Sequence, residues 1–120
     1  MRIKKENSST INITVNDGDG DLVTNLATAD DVKFMVKKKK TDTNANAVIS
    51  KNIGNGVTIN DPSVGIVKVT LTSTDTNIDI GFYFMALQIE YSATDIQEIN
   101  LEKDDCATDI LEIYQDIIRG

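Results

Sequence analysis

Three aspartates, Asp17, Asp19 and Asp21, alternate with Gly18 and Gly20 in the stretch VNDGDGDLVT. Carboxylates at every second position are the opening ligands of a calcium loop of the EF-hand type, which also needs glycine at its sixth position and a bidentate glutamate at its twelfth. Counted from Asp17, those positions hold Leu22 and Thr28. The reading that fits more of the pattern is a turn between a strand at Ile11–Asn16 and a short strand at Leu22–Leu26. There the glycines permit the backbone and the aspartates solvate it. Calcium at Asp17, Asp19 and Asp21 stays the alternative, and a higher melting temperature in millimolar calcium would reveal it. No metal site is assigned.

Other reactive side chains group in the same partial way. Glu102, Asp104 and Asp105, with Asp109 nearby, could pair carboxylates for acid–base work, but that chemistry needs a pocket and a perturbed pKa. A solvated acidic loop is the plainer reading. Cys106 is the only cysteine, so the chain cannot form an internal disulfide, and with no histidine present nothing of that kind can activate the thiol. The same lack removes the usual general base at neutral pH, the serine triad and most zinc chemistry. Lys37–Lys40 is the one concentrated positive run. It could meet phosphate or an acidic partner. Without interleaved aromatics it reads instead as the close of a strand, guarding an edge against sheet-to-sheet pairing. No phosphate loop, dinucleotide fingerprint or nucleophile elbow occurs. We therefore expect no catalytic residues, no cofactor and no enzyme.

Size and composition agree with a self-sufficient core. At 120 residues, 40% hydrophobic and 26% charged, the chain has the make-up of one globular domain rather than a disordered segment. The net charge of −7 argues against non-specific nucleic-acid binding. The start MRIKKENSS leads into no apolar stretch of signal-peptide length, and GFYFMAL is too short to span a bilayer, so neither a standard secretory signal nor a membrane partner is expected.

Most segments alternate with period two. Ile11, Ile13 and Val15 share one face, as do Val32, Phe34 and Val36; Val57 and Ile59; Val67, Val69 and Leu71; and Tyr83, Met85, Leu87, Ile89 and Tyr91. Such alternation belongs to half-buried strands of antiparallel sheets, and short strands at regular spacing suggest a sandwich or barrel. Asn55-Gly56 predicts a hairpin pairing Ile49–Ile53 with Val57–Asn60. Pro62 falls between strands. The rings Phe34, Phe82, Tyr83, Phe84, Tyr91 and Tyr114 mostly fall in strands expected to be buried. Residues 1–9 read as a flexible N-terminal arm on a single domain spanning 1–120. The C-terminal stretch TDILEIYQDIIRG is ambiguous. Ile110, Ile113, Tyr114, Ile117 and Ile118 recur at helical spacing, with Asp109 and Glu112 as a cap and Gly120 as a stop, while Leu111 and Ile113 also suit a strand.

Taken in order, these segments resemble the small immunoglobulin-like β-sandwich proteins and N-terminal domains of tail, baseplate and fibre components of tailed bacteriophages. The resemblance runs from Ile11 to Ile117. It comprises INITVNDGDGD, an alternating strand before an Asp/Gly turn; LATADDVKFMVK, Leu26 to Lys37; and the segment AVISKNIGNGVTIND. It continues with GIVKVTLTSTDT, Gly65 to Thr76; Gly81 and Tyr83; and the closing Leu111, Ile113, Asp116 and Ile117. NSST replaces the Gly-Asp-Thr that often precedes the first strand, and the loop Lys103–Asp109 is long. The resemblance implies an all-β, antiparallel immunoglobulin-like sandwich of about seven to nine strands, with Ile110–Tyr114 as a strand rather than a short helix. It also implies a non-catalytic virion structural protein that docks onto or decorates the tail, baseplate or fibre assembly in many symmetric copies, with other virion proteins as partners. The alternative on the same scaffold is a carbohydrate- or host-surface-binding module, which needs exposed aromatic rings.

Overall fold

The computed structural model describes residues 1–15, 28–61, 65–99 and 109–115. Among the described residues every regular element longer than one turn is a strand: β1 (Arg2–Lys4), β2 (Ser9–Thr14), β3 (Asp31–Lys37), β4 (Ile49–Ile53), β5 (Gly56–Asp61), β6 (Ile66–Leu71), β7 (Gly81–Glu90), β8 (Ile96–Ile99) and β9 (Ile110–Tyr114). The fold is all-β and barrel-like. The turn Asn44–Asn46 adds one turn of 3-10 helix.

The strands pair in the order β1-β9-β7-β3-β4-β5-β6-β2, with β8 on β7 beyond the end of β9. Side chains that alternate inward from both halves of this path meet in one core. Ile11, Ile13, Val57, Val67, Val69 and Leu71 come from one half; Val32, Phe34, Val36, Tyr83, Leu87, Ile89, Leu111 and Ile113 come from the other. Period two thus places most of the core correctly, because a strand with one wet face can bury only every second side chain. β9 settles the ambiguous C-terminal stretch as far as Tyr114: Leu111 and Ile113 are fully buried while Ile110 is 41% exposed. A helix would have put Ile110, Ile113 and Tyr114 on one face. Asp116, Ile117, Ile118 and Gly120 lie outside the described residues, as do Leu22–Leu26 and Pro62.

Three expectations need correction. Residues 1–9 are not an arm: β1 pairs in parallel with β9, Ile3 is buried against Ile113, and Ser9 and Thr10 already belong to β2. Arg2, Ile3 and Lys4 alternate too, over a run too short to signal a strand by itself. Nor is the pairing purely antiparallel, since β1 with β9 and β4 with β5 run parallel. The Asn-Gly hairpin is displaced as well. Asn52 and Asn55 exchange backbone hydrogen bonds, so the reversal is centred on Ile53 and Gly54, with Gly54 at φ +85°. That value suits the third residue of a type II turn. Gly56 at φ +92° then turns the chain again, leaving only Asn52 and Ile53 beside Gly56 and Val57. β4 therefore pairs with β3 in one half while the chain continues as β5, which pairs with β6 in the other, where a simple hairpin would have kept both strands in one sheet.

The ends of the path, β1 and β2, are neighbours in sequence, and a buckle holds their link. Thr72 N–H donates to the Asp75 carboxylate at 2.7 Å, and Asp75 N–H donates back to the Thr72 hydroxyl at 3.2 Å. This tight turn presents Thr76, fully buried, whose hydroxyl donates to the Asn7 carbonyl at 2.8 Å. Lys51 of β4 closes the buckle from the side with an ion pair to Asp75 at 2.7 Å. The Leu-Thr-x-x-Asp-Thr pattern in the sequence is the sequence of this turn.

Candidate interaction face

Several residues singled out above lie outside the described residues: Asp17, Asp19, Asp21, Glu102, Asp104, Asp105 and Cys106. Asp109 is described, and it makes an ion pair with Lys40 at 3.1 Å. Among the described residues no group of three or more acidic, cysteine or histidine side chains converges as a metal site would. A groove of about 240 Å³ includes that ion pair together with Lys37, Phe84, Glu98 and Ile99. It is smaller than the roughly 300–1,000 Å³ of ordinary ligand sites. The Lys40 side chain in it is 60% exposed, so water screens the pair rather than a dry cavity sharpening it. A wider depression of about 570 Å³ at the β4–β5 corner is lined by Ile53, Gly54, Gly56, Thr58 and Thr70 among others, with no titratable group among the described lining residues.

The shifted ionisable groups serve the fold. Burial alone would raise the Asp75 pKa, but the hydrogen bond from Lys51 and those with Thr72 outweigh it and hold the carboxyl below its ordinary value. Burial, and then the charge of Asp79, raises the Tyr83 phenol; burial and Asp95 raise Tyr91. Tyr83 donates its hydroxyl hydrogen to the Asp79 carbonyl at 2.7 Å, tying the start of β7 to the loop before it.

What the structure does assemble is a patterned sheet face. On the outer side of β1, β9, β7 and β3, registration aligns side chains into rows across the strands. Arg2, Glu112 and Phe82 share one row; Ile110, Phe84 and Lys37 the next; Ala86 and Met35 follow; then Glu98, Gln88 and Lys33; then Ile96, Glu90 and Asp31. At the Phe82 end the face is apolar and aromatic: Phe82 is 69% exposed, and Ile80, one step before β7, is 57% exposed. Charges rim it. Arg2 pairs with Glu112 at 2.8 Å and lies 4.1 Å from the centre of the Tyr114 ring, while Lys40 lies 5.1 Å from that of Phe84.

Lys37–Lys40 leaves β3 beside this patch. Its reading as an edge guard is corrected, because β3 lies between β7 and β4 and has no free edge. Lys39 and Asp42 close a turn with two hydrogen bonds, and Lys37 donates to the Asn44 side chain, which holds the run in place with Lys38, Lys39 and Lys40 exposed. At the far end of the face Ile96 is 47% exposed among Asp30, Glu90, Asp95 and Glu98. The face is therefore polarised along the strands, lysine-rich and aromatic at one end and carboxylate-rich at the other, where Lys33 pairs with Glu90 at 3.1 Å. The expectation that most rings are buried is corrected: only Phe34 and Tyr83 are buried, Phe84, Tyr91 and Tyr114 are half-buried, and Phe82 is exposed. Compared with known proteins, the chain matches no family model and no curated protein.

Proposed function

We propose that this chain is a non-catalytic structural protein of a tailed-bacteriophage particle. In this reading it is an immunoglobulin-like β-sandwich that docks onto the tail, baseplate or fibre assembly, in many symmetric copies. Its partners are other virion proteins rather than nucleic acid or membrane. The observation that carries the reading is the exposed Phe82, with Ile80 and Ile110, on the outer sheet face. A contiguous apolar patch rimmed by charge marks a protein-binding surface, and large aromatics are the side chains that most often dominate such contacts.

One feature supports the immunoglobulin-like form. The Tyr83 hydroxyl bonded back to the Asp79 carbonyl has the arrangement of a tyrosine corner, which stands at the start of the sixth strand in that fold. Two residues later, where antibody domains place a cysteine, buried Met85 packs in the core instead. Fold alone does not license a function, so the ordered resemblance from Ile11 to Ile117 supplies the particle.

The test is direct. Mass spectrometry of purified particles from the phage that carries this gene should find the chain at a stoichiometry set by a tail or baseplate symmetry. Its absence from intact particles at high sensitivity would refute the reading. The exposed ring of Phe82 also gives the carbohydrate-binding alternative one foothold, and a glycan array that lights up with wild type but not with Phe82→Ala would favour it.

A further inference from the structure

We propose that the outer face of β9, β7 and β3 is where two copies of this chain meet, related by a two-fold axis that runs across the strands. The proposal rests on reading this face as a protein-binding surface and names its occupant.

The argument comes from the rows. An axis lying in the interface and crossing the strands at the level of Leu87 lays each copy antiparallel on its partner. The row Ile110–Phe84–Lys37 then falls on the partner's row Ile96–Glu90–Asp31, because both rows stand three residues from Leu87 along β7. In that order an isoleucine meets an isoleucine, the Phe84 ring meets the Glu90 stem, and Lys37, which donates to Asn44 in its own copy, meets Asp31, whose carboxylate accepts from the Val32 and Ile53 N–H groups and keeps lone pairs to share. Two-fold symmetry repeats the same three contacts at the other end, as an isologous interface requires. The other in-plane axis, running along β7, would set the acidic end against the acidic end, Glu90 on Glu90, and would leave Lys37 facing Ile110, and like charges facing each other cost several kcal/mol.

Area permits the contact. Ten residues of β7 span roughly 33 Å, and the three strands β9, β7 and β3 are together roughly 14 Å wide. A contact covering that face buries roughly 480 Å² of each copy, about 950 Å² in all, in the range of weak, transient interfaces. Sheets laid face to face keep their strands within about 30° of each other, which retains the row-on-row match at the centre. Phe82 extends past the last matched row and caps the partner beyond Glu90.

Sedimentation velocity on the whole chain tests this with two charge-reversal variants. One reverses the basic end, Lys37→Glu with Lys38→Glu; the other reverses the acidic end, Glu90→Lys with Glu98→Lys. Wild type should dimerise, and the dimer should weaken as salt rises and shortens the screening length. Each variant alone should be roughly a hundredfold weaker, since both of its ends then oppose like charges. An equal mixture of the two should restore dimerisation, because every contact is then again between opposite charges. Recovery in the mixture also shows that both variants are folded. Wild type remaining monomeric up to about 1 mM, a contact worth less than roughly 4 kcal/mol, would overturn the inference. So would a dimer indifferent to both variants. Either result leaves the particle assignment standing on its own mass-spectrometric test.

Discussion

Replacing Asp75 by Asn isolates the buckle that holds the two ends of the strand path together. The Lys51 and Asp75 side chains are only 11% and 18% exposed, and their charged atoms are 2.7 Å apart. Asparagine keeps the shape and can still accept the Thr72 N–H, but it leaves the Lys51 ammonium with little water and no counter-charge. Breaking a fully buried pair this way costs about 3–5 kcal/mol. With this much residual exposure we expect about 2 kcal/mol, a fall in melting temperature of roughly 8 °C for a chain of this length. Urea denaturation of wild type, Asp75→Asn, Lys51→Met and the double variant closes a thermodynamic cycle. Methionine retains most of the lysine stem, which lies against Gly56, so the cycle reads the charge rather than the packing. The double variant should recover about 1–2 kcal/mol relative to the sum of the singles. Additivity within about 0.5 kcal/mol would refute the reasoning, because the two groups would then not depend on each other. The pair also carries a pH signature. The folded pKa of Asp75 lies below its unfolded value, so its contribution is present above an ordinary aspartate value of about 3.9. That contribution is lost as pH falls through the lower folded value. The stability gap between wild type and Asp75→Asn should therefore narrow below about pH 4.

Other substitutions probe the fold at separate points. Tyr83→Phe removes the hydroxyl that bonds to Asp79 in a side chain 3% exposed, and should cost about 1–2 kcal/mol by chemical denaturation. Gly54→Ala and Gly56→Ala should part company. Both glycines have positive φ, but an added Cβ at Gly54 meets nothing, whereas at Gly56 it comes within 2.9 Å of the Lys51 stem and 3.0 Å of the Thr70 carbonyl. The first should cost about 1 kcal/mol and the second distinctly more, read as separate melting midpoints. Ile113→Asp should abolish cooperative folding by circular dichroism, since it places a carboxylate in the core. Ile110→Asp on the same strand should fold, because Ile110 faces outward.

Much of this architecture is legible in the sequence because alternation speaks through single side chains. Ile11, Ile13, Val32, Phe34, Val67, Leu71, Tyr83 and Leu87 all reach the core that their spacing assigns. Met35 escapes the rule. It points to the outer face and is still only 3% exposed, because it sits mid-sheet between Ala86 and Ser50, two small neighbours, with the long stems of Lys33 and Lys37 at either side along β3. Short strands carry too few alternations to be read, and so β1 and β8 were not visible. Yet Arg2 and Ile96 on those strands help define the two ends of the candidate face. Lys37–Lys40 was visible as charge, but its neighbours were not. Phe84 and Phe82 lie far along the chain and come beside it only through pairing of β3 with β7. The reversal at Ile53-Gly54 was hidden by Asn55-Gly56, a stronger local signal overridden by the need to pass β4 between two halves of the core.

The most direct measurement is a reconstruction of the whole particle at a resolution that traces this chain. The expected result is many symmetric copies in the tail, baseplate or fibre region, with Phe82, Phe84 and Ile110 covered by protein. A chain missing from the particle, or one bound through another surface with the β9–β7–β3 face open to solvent, would contradict it.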